Sequence, residues 1–378
     1  MLTRDRFLAE LETSQRREEQ TYKELTQGLY RGLQSPLKAL YDEMVSATAN
    51  LTAVTAQAIQ DHPEIIKILR YCLAPVISQM RLGQIIGIKS TGPFEKGGAK
   101  PAPQQAADLV RWFINYLDRE RFPWTEPTPP AWSEPERRIA EHYAKLCTVA
   151  LVSNQNTATQ YRNRRQEMQE RAIANALEGM GLLIQQELGP PATPKVRRKK
   201  GEPPAPLPPR RPAGIHHVED VRPGHYVREK TILAGFERNQ KSDLTARPGA
   251  DPKLFCIEAK AVGIRIDSAK RLKELNDKFT DWQGSALPIV TIGICAGFFN
   301  PLELIATIRV RGIPIFFEHD LTPLADFLRH GEYFGSPWNP QSLFLEVPPA
   351  QLQAAIEKIA TTSTEDETDA DSEREAVE

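Results

Sequence analysis

A chain of 378 residues, 40% of them hydrophobic, is long enough to bury a sizeable core and to form two domains, or one domain with a large extension. Its longest apolar run, ALPIVTIGICAGFF from Ala286, falls short of the roughly 20 residues that cross a bilayer, and the opening MLTRDRFLAELETSQRREEQ lacks the apolar region of a signal peptide; a membrane protein is excluded and a cytoplasmic location is expected. The net charge of −1 is unevenly spread, because STEDETDADSEREAVE at 363–378 carries eight acids and one Arg and leaves the remainder near +6, a balance that points to a polyanionic partner or else to a merely solvated tail.

From Leu2 to about 188 the pattern is helical, with apolar residues recurring at three and four in RDRFLAELETSQRREEQTYKELTQGLYRGL and few glycines. Proline-bearing breaks at 34–36, 61–64, 91–105 and 121–136 divide this half into five or six helices, the last at about 155–186. The segment GPPATPKVRRKKGEPPAPLPPRRPAG at 189–214 holds nine prolines and seven Lys or Arg against one Glu, the composition of an extended linker or surface loop. Its KVRRKK cluster suits either phosphate contacts or a solvated spacer. Beyond it the rhythm changes to strands at 225–233, 240–247 and 253–262, a helix at 267–283, a buried strand at 288–297, a helix at 301–312, a strand at 313–319 and a helix at 321–330.

With the helix at 155–186 in front, the order is α-β-β-β-α-β and an added α-β, which is a mixed α/β core in which a hairpin feeds a crossover unit. The expected segments are a helical region at 1–188 whose last helix packs on the core, the linker at 189–214, the core at 215–350, a short helix at 351–361 and an acidic tail at 362–378. Cys72, Cys147, Cys256 and Cys295 are far apart and form no Cys-x-x-Cys pair, so reduced core thiols are expected and neither a zinc site nor a disulfide framework is suggested.

One stretch, LFCIEAKAVG at 254–263, puts two charged residues into an apolar strand, where ions are rarely buried unless paired or bound to something. PGADP at 248–252 is a strong turn signal that joins this strand to the one before it as a hairpin. A turn centred between Ala250 and Asp251 sets Asp243 directly opposite Glu258, with Cβ atoms about 4.5–5.5 Å apart, and the period of two puts Lys260 on the same face. Two carboxylates that close repel unless a cation lies between them. Oxygen ligands suit Mg²⁺, which takes one or two carboxylates and keeps its waters, and an adjacent ammonium can orient a water and stabilise charge developing on a phosphate. The bland reading is an exposed cross-strand ion pair.

The arrangement Asp243…Glu258-x-Lys260 resembles the PD-(D/E)XK nuclease superfamily, although Ser242 stands where a proline usually precedes the Asp. IEAKAVGIRIDSAKRLKELNDK (257–278) and ICAGFFNPLELIATIRVRGIPIFFEHDLTPLADFL further on are similar to type II restriction endonucleases of the XamI family, with a weaker likeness at RNRRQEMQ (162–169). The resemblance implies a restriction-endonuclease-like core, Mg²⁺-dependent hydrolysis of double-stranded DNA in defence against foreign DNA, metal ligands Asp243 and Glu258, and Lys260 assisting the attacking water. It further implies Glu167 as a supplementary acid, although a solvated helix glutamate is the other reading of that position, Lys270 and Arg271 as phosphate contacts, a homodimer matched to palindromic sites, and a DNA methyltransferase as genetic partner. Lys241 shares the face of Asp243 by period two and is a further DNA-binding candidate. The alternatives are a repair or mobile-element nuclease of the same fold, or a non-catalytic DNA-binding protein. Asp251, a rival acid, suits local capping of its turn, and His319, at a strand end with no nucleophile at useful spacing, suits a structural role.

Overall fold

The computed structural model describes residues 2–185, 215–216, 221–232, 240–263, 267–283 and 288–362. The expected linker at 189–214 and the tail from 363 lie outside them. The chain divides into two compact units, Lys23–Asn163 and Met1–Tyr22 with Arg164–Ser363.

The first unit is helical. α1 (Arg4–Ala47), α2 (Ala56–Asp61), α3 (Ile66–Tyr71), α4 (Gln79–Ile85), α5 (Gly92–Glu95), α6 (Pro103–Tyr116) and α7 (Glu134–Gly179) are the helices among the described residues of the N-terminal half, where five or six were expected. Leu37, Tyr41 and Met44 of α1, Ile66 and Leu69 of α3, Leu109 and Phe113 of α6, and Val149 and Val152 of α7 bury their side chains in one cluster. The break expected at 34–36 does not occur, because α1 runs through Pro36. An interior proline costs roughly 3 kcal/mol, but Leu33 before it and Leu37, Leu40 and Tyr41 after it pack in the same cluster, so burial on both sides offsets the lost hydrogen bond. The breaks at 61–64 and 121–136 fall where one helix ends and the next begins, whereas the one at 91–105 itself holds the short helix α5 and the first residues of α6.

The segment expected to be a single helical region at 1–188 is shared between the units, since Phe7 and Leu11 of α1 and Ile173, Ala174 and Leu177 of α7 belong to the core of the second. Arg165 of α7, buried, donates to Glu18 of α1 at 2.7 Å and to both carboxylate oxygens of Glu318 at 3.1 and 2.6 Å, tying both helix segments to the sheet. The helix expected at 155–186 is the end of α7. It stops at Gly179, and Gly181 at φ +90° turns the chain into β1 (Leu183–Ile184).

β2 (Ile215–His216), β3 (His225–Ile232), β4 (Gln240–Arg247), β5 (Leu254–Val262), α8 (Ser268–Gln283), β6 (Ile289–Gly297), α9 (Pro301–Ala306), β7 (Ile315–Phe317), α10 (Thr322–His330) and α11 (Pro349–Thr361) follow. The sheet runs β1-β3-β4-β5-β6-β7 with β2 also on β3. β3, β4 and β5 are antiparallel, while β5, β6 and β7 are parallel. The antiparallel strands come from short connections, and the parallel ones require the crossovers through α8 and α9. The helix expected at 301–312 is α9 followed by a π-helical turn at Thr307–Arg311, closed by Gly312 at φ +73°. The class is mixed α/β, as expected. β6 and β7 are buried, as parallel strands covered on both faces must be. No helix of the described residues is long and apolar enough to cross a membrane.

Candidate active site

The β4–β5 ladder pairs Ala246 with Phe255, Thr245 with Cys256 and Leu244 with Ile257, which is the register of a turn centred between Ala250 and Asp251. Asp251 is consumed locally, its carboxylate accepting from the Lys253 N–H at 3.0 Å. The ladder stops at Leu244. One residue beyond, Asp243 Oδ2 accepts from the Ala259 N–H at 2.8 Å, so the side chain of Asp243 takes up a donor of β5 between Glu258 and Lys260. That hydrogen bond fixes the acid of one strand against the acid and lysine of the other.

Glu258 is 0% exposed. Its Oε2 accepts from Lys278 Nζ at 2.7 Å and lies 3.7 Å from Lys260 Nζ, while its Oε1 is buried with no hydrogen-bond partner among the described residues. Burial first, and then the neighbouring Asp243 carboxylate, push its carboxyl up to about 7, against the pull of Lys260 and Lys278. Lys260 Nζ donates to Glu274 Oε2 at 3.0 Å, and Arg271 donates to Glu274 Oε1 at 2.9 Å. Burial works to lower the Lys260 ammonium, but the carboxylates of Glu258, Glu274 and Asp243 outweigh it and hold its pKa above the ordinary lysine value. Glu274 is held below the usual carboxylate range because Lys260 and Arg271 outweigh the burial that would raise it.

Three of these groups, Arg271, Glu274 and Lys278, come from one row of α8, spaced three and four apart beside the apolar row of Leu272, Leu275 and Trp282. The helix lies close because β6 has Gly293 beneath it: a Cβ there would meet Leu275 Cδ2 at 2.9 Å and Ile315 Cδ1 at 2.6 Å. On the other approach, Gln169 of α7 donates to the Ile294 carbonyl at 3.1 Å and to the Lys260 carbonyl at 3.4 Å.

Asp243, Glu258 and Lys260 are therefore brought together. Arg271 reaches them through Glu274, and Lys270, one position earlier in the helix, is half-buried. The side chain of Lys241 lies outside the described residues. Glu167 is not brought in: it is exposed on α7, on the side away from Arg165 and Gln169, which the helix turns toward the sheet. His319 pairs with Glu10 at 2.7 Å, a tie between β7 and α1. Cys147 is exposed, unlike the core position expected of it. Lys278 and Glu274 were not singled out from the sequence. The available signal was their place at the margin of the buried stripe of α8, which says that they border the sheet but not which strand they meet.

The donor set is oxygen-only. Among the described residues no group of three or more His, Cys, Asp or Glu gathers, so the pattern of a thiolate or imidazole site is missing there, while two carboxylates and one orphaned buried oxygen fit a hard cation that keeps much of its water.

The sequence model of XamI restriction endonuclease matches residues 49–202 and 206–317, most of the chain. The chain belongs to the XamI restriction endonuclease family. Membership of the XamI family implies a nuclease that cleaves DNA in restriction-modification, and restriction endonucleases generally use a divalent metal. The second stretch matched to the XamI family takes in β3 to β7 and with them the charged set on the hairpin. Comparison with curated proteins and with solved structures gave no match.

Proposed function

We propose that the chain is a Mg²⁺-dependent type II endonuclease with a PD-(D/E)XK core, hydrolysing phosphodiester bonds of double-stranded DNA at a specific sequence. The observation that carries this is a carboxylate, Glu258, fully buried with one oxygen unpartnered, in register beside Asp243 and Lys260 on a hairpin of a mixed sheet. Most buried polar atoms in natural proteins are paired, and an unpaired one is accounted for by strain, a catalytic role, or a bound water or ion; its place beside Asp243 and Lys260 favours the ion here.

Asp243 and Glu258 are the residues that would hold the metal. A bound Mg²⁺ supplies Lewis-acid polarisation of a phosphoryl oxygen and a lowered pKa for a coordinated water. The chain supplies position. Glu258 is locked in a core strand, and Asp243 is aimed by the Ala259 N–H. Lys260, kept charged by the carboxylates around it, is suited to donate to the attacking water or to a phosphate oxygen as negative charge develops there. Lys270 and Arg271 at the start of α8, with Lys241 on β4, are proposed phosphate contacts, which position DNA without reading it. Cutting both strands of a palindromic site calls for two copies of the set, so a homodimer belongs to this reading, as does a methyltransferase that protects the host's own sites.

The test is digestion of phage DNA with and without Mg²⁺, followed by sequencing of the ends. Ends at one recurring sequence, only with the metal, are expected. Intact DNA with folded protein overturns the nuclease reading, and scattered or structure-dependent ends overturn sequence specificity alone.

A further inference from the structure

Two ammonium groups compete for Glu258, and the nearer is not the lysine of the strand motif. Lys278 Nζ lies 2.7 Å from Glu258 Oε2, whereas Lys260 Nζ lies 3.7 Å from it and is committed to Glu274 at 3.0 Å. A buried carboxylate without compensation is costly by several kcal/mol, and no solvent reaches Glu258 to supply it. The compensation comes from a helix, through a long stem whose side chain is 23% exposed, so its charged end has a way out toward water.

We propose that Lys278 is the resident counter-ion of Glu258, holding the place in the charge balance that a divalent cation takes, so that metal binding at Asp243 and Glu258 displaces it. This rests on the metal reading of the site given above. The unpartnered Oε1 leaves acceptor capacity that the two lysines do not fill, so Glu258 can begin to take a metal before Lys278 has left. Once displaced, the ammonium stays on the helix row of Arg271 and Glu274, from which it can also meet a DNA phosphate. The lysine then does two jobs in turn. Without metal it keeps the buried acid tolerable, and with metal its ammonium is released from Glu258.

The deciding measurement is the affinity for Mn²⁺, followed by the paramagnetic resonance of the free ion, on the full chain without DNA at about pH 9, above the value of about 7 reached by Glu258. Lys278→Gln, which keeps a donor but removes the charge, should bind Mn²⁺ about tenfold tighter than wild type, since a like charge next to the ion is gone. Lys278→Arg should bind as wild type does. Lys278→Met serves as a second neutral variant should the glutamine protein fail to fold, which circular dichroism checks. Unchanged or weaker binding by the neutral variants, or equal tightening by Lys278→Arg, overturns the displacement while leaving the metal site standing. If wild type binds no Mn²⁺, or Asp243→Ala binds it equally well, the metal site itself falls and the displacement falls with it.

Discussion

Glu95 is buried in the helical unit and Glu258 in the sheet unit, and their surroundings treat the two oppositely. In the helical unit Glu95 is met by Arg70 through Nε and Nη2 at 2.7 and 3.2 Å, by Gln79 at 2.7 Å and by Thr91 at 2.8 Å, so both of its oxygens are satisfied. In the sheet unit Glu258 has one oxygen on Lys278 and the other without a hydrogen-bond partner among the described residues. A carboxylate whose acceptor sites are filled by its own fold has no capacity left for a ligand and acts as a bolt. A carboxylate left half-filled at full burial is unfavourable by itself and is stabilised by whatever completes it. The fold of the helical unit thus closes on its charges, whereas the hairpin of the sheet unit holds its charges open.

The largest expected effect is on the open side. Asp243→Ala should lower the rate of plasmid cleavage by about a thousandfold or more, as expected when a metal ligand is lost, while gel-shift binding to DNA persists; cleavage within tenfold of wild type would remove Asp243 from the site. Next comes the closed side. Glu95→Ala strands the buried Arg70 guanidinium and should destabilise the helical unit by about 3–5 kcal/mol, read from denaturant unfolding, and a loss below about 1 kcal/mol would show that the network is not holding the helices.

A smaller effect separates the two glutamates by pH. The folded-state pKa of Glu258 is raised from 4.5 to about 7, so its contribution to stability is fully present below about 4.5 and is lost as pH rises through about 7. In metal-free protein Glu258→Gln should therefore gain on wild type between these values, by about 3 kcal/mol at most, and a flat difference across that window would contradict the burial argument. The smallest effect is expected at Glu167, which faces solvent: Glu167→Ala should leave cleavage within about twofold of wild type, as surface substitutions away from a site do. A hundredfold loss would bring α7 back into the chemistry.

The strands and crossovers of the sheet unit were legible because period-two patterning, the PGADP turn and the glycine-bounded apolar run are local signals. The register of the hairpin was legible for the same reason, since a turn position fixes which residues face each other. α1 was read as broken at 34–36 because proline is a local veto, and the packing that overrides it comes from residues distant in sequence. A short likeness offered Glu167 as a supplementary acid beside the reading of a solvated helix glutamate, and its exposure agrees with the second, because a helix of 3.6 residues per turn shows only a few positions to a neighbour and Arg165 and Gln169 are those positions.

The amino-acid sequence by itself determined that Asp243, Glu258 and Lys260 share one end of one hairpin, because strand period and turn length are properties of a few consecutive residues. Only the tertiary structure decided which cations meet them. Lys278 and Glu274 reach the hairpin because Gly293 lets α8 down onto the sheet, and Oε1 of Glu258 meets no donor among the described residues. Those outcomes depend on the distance between elements far apart in the chain, which no periodicity encodes.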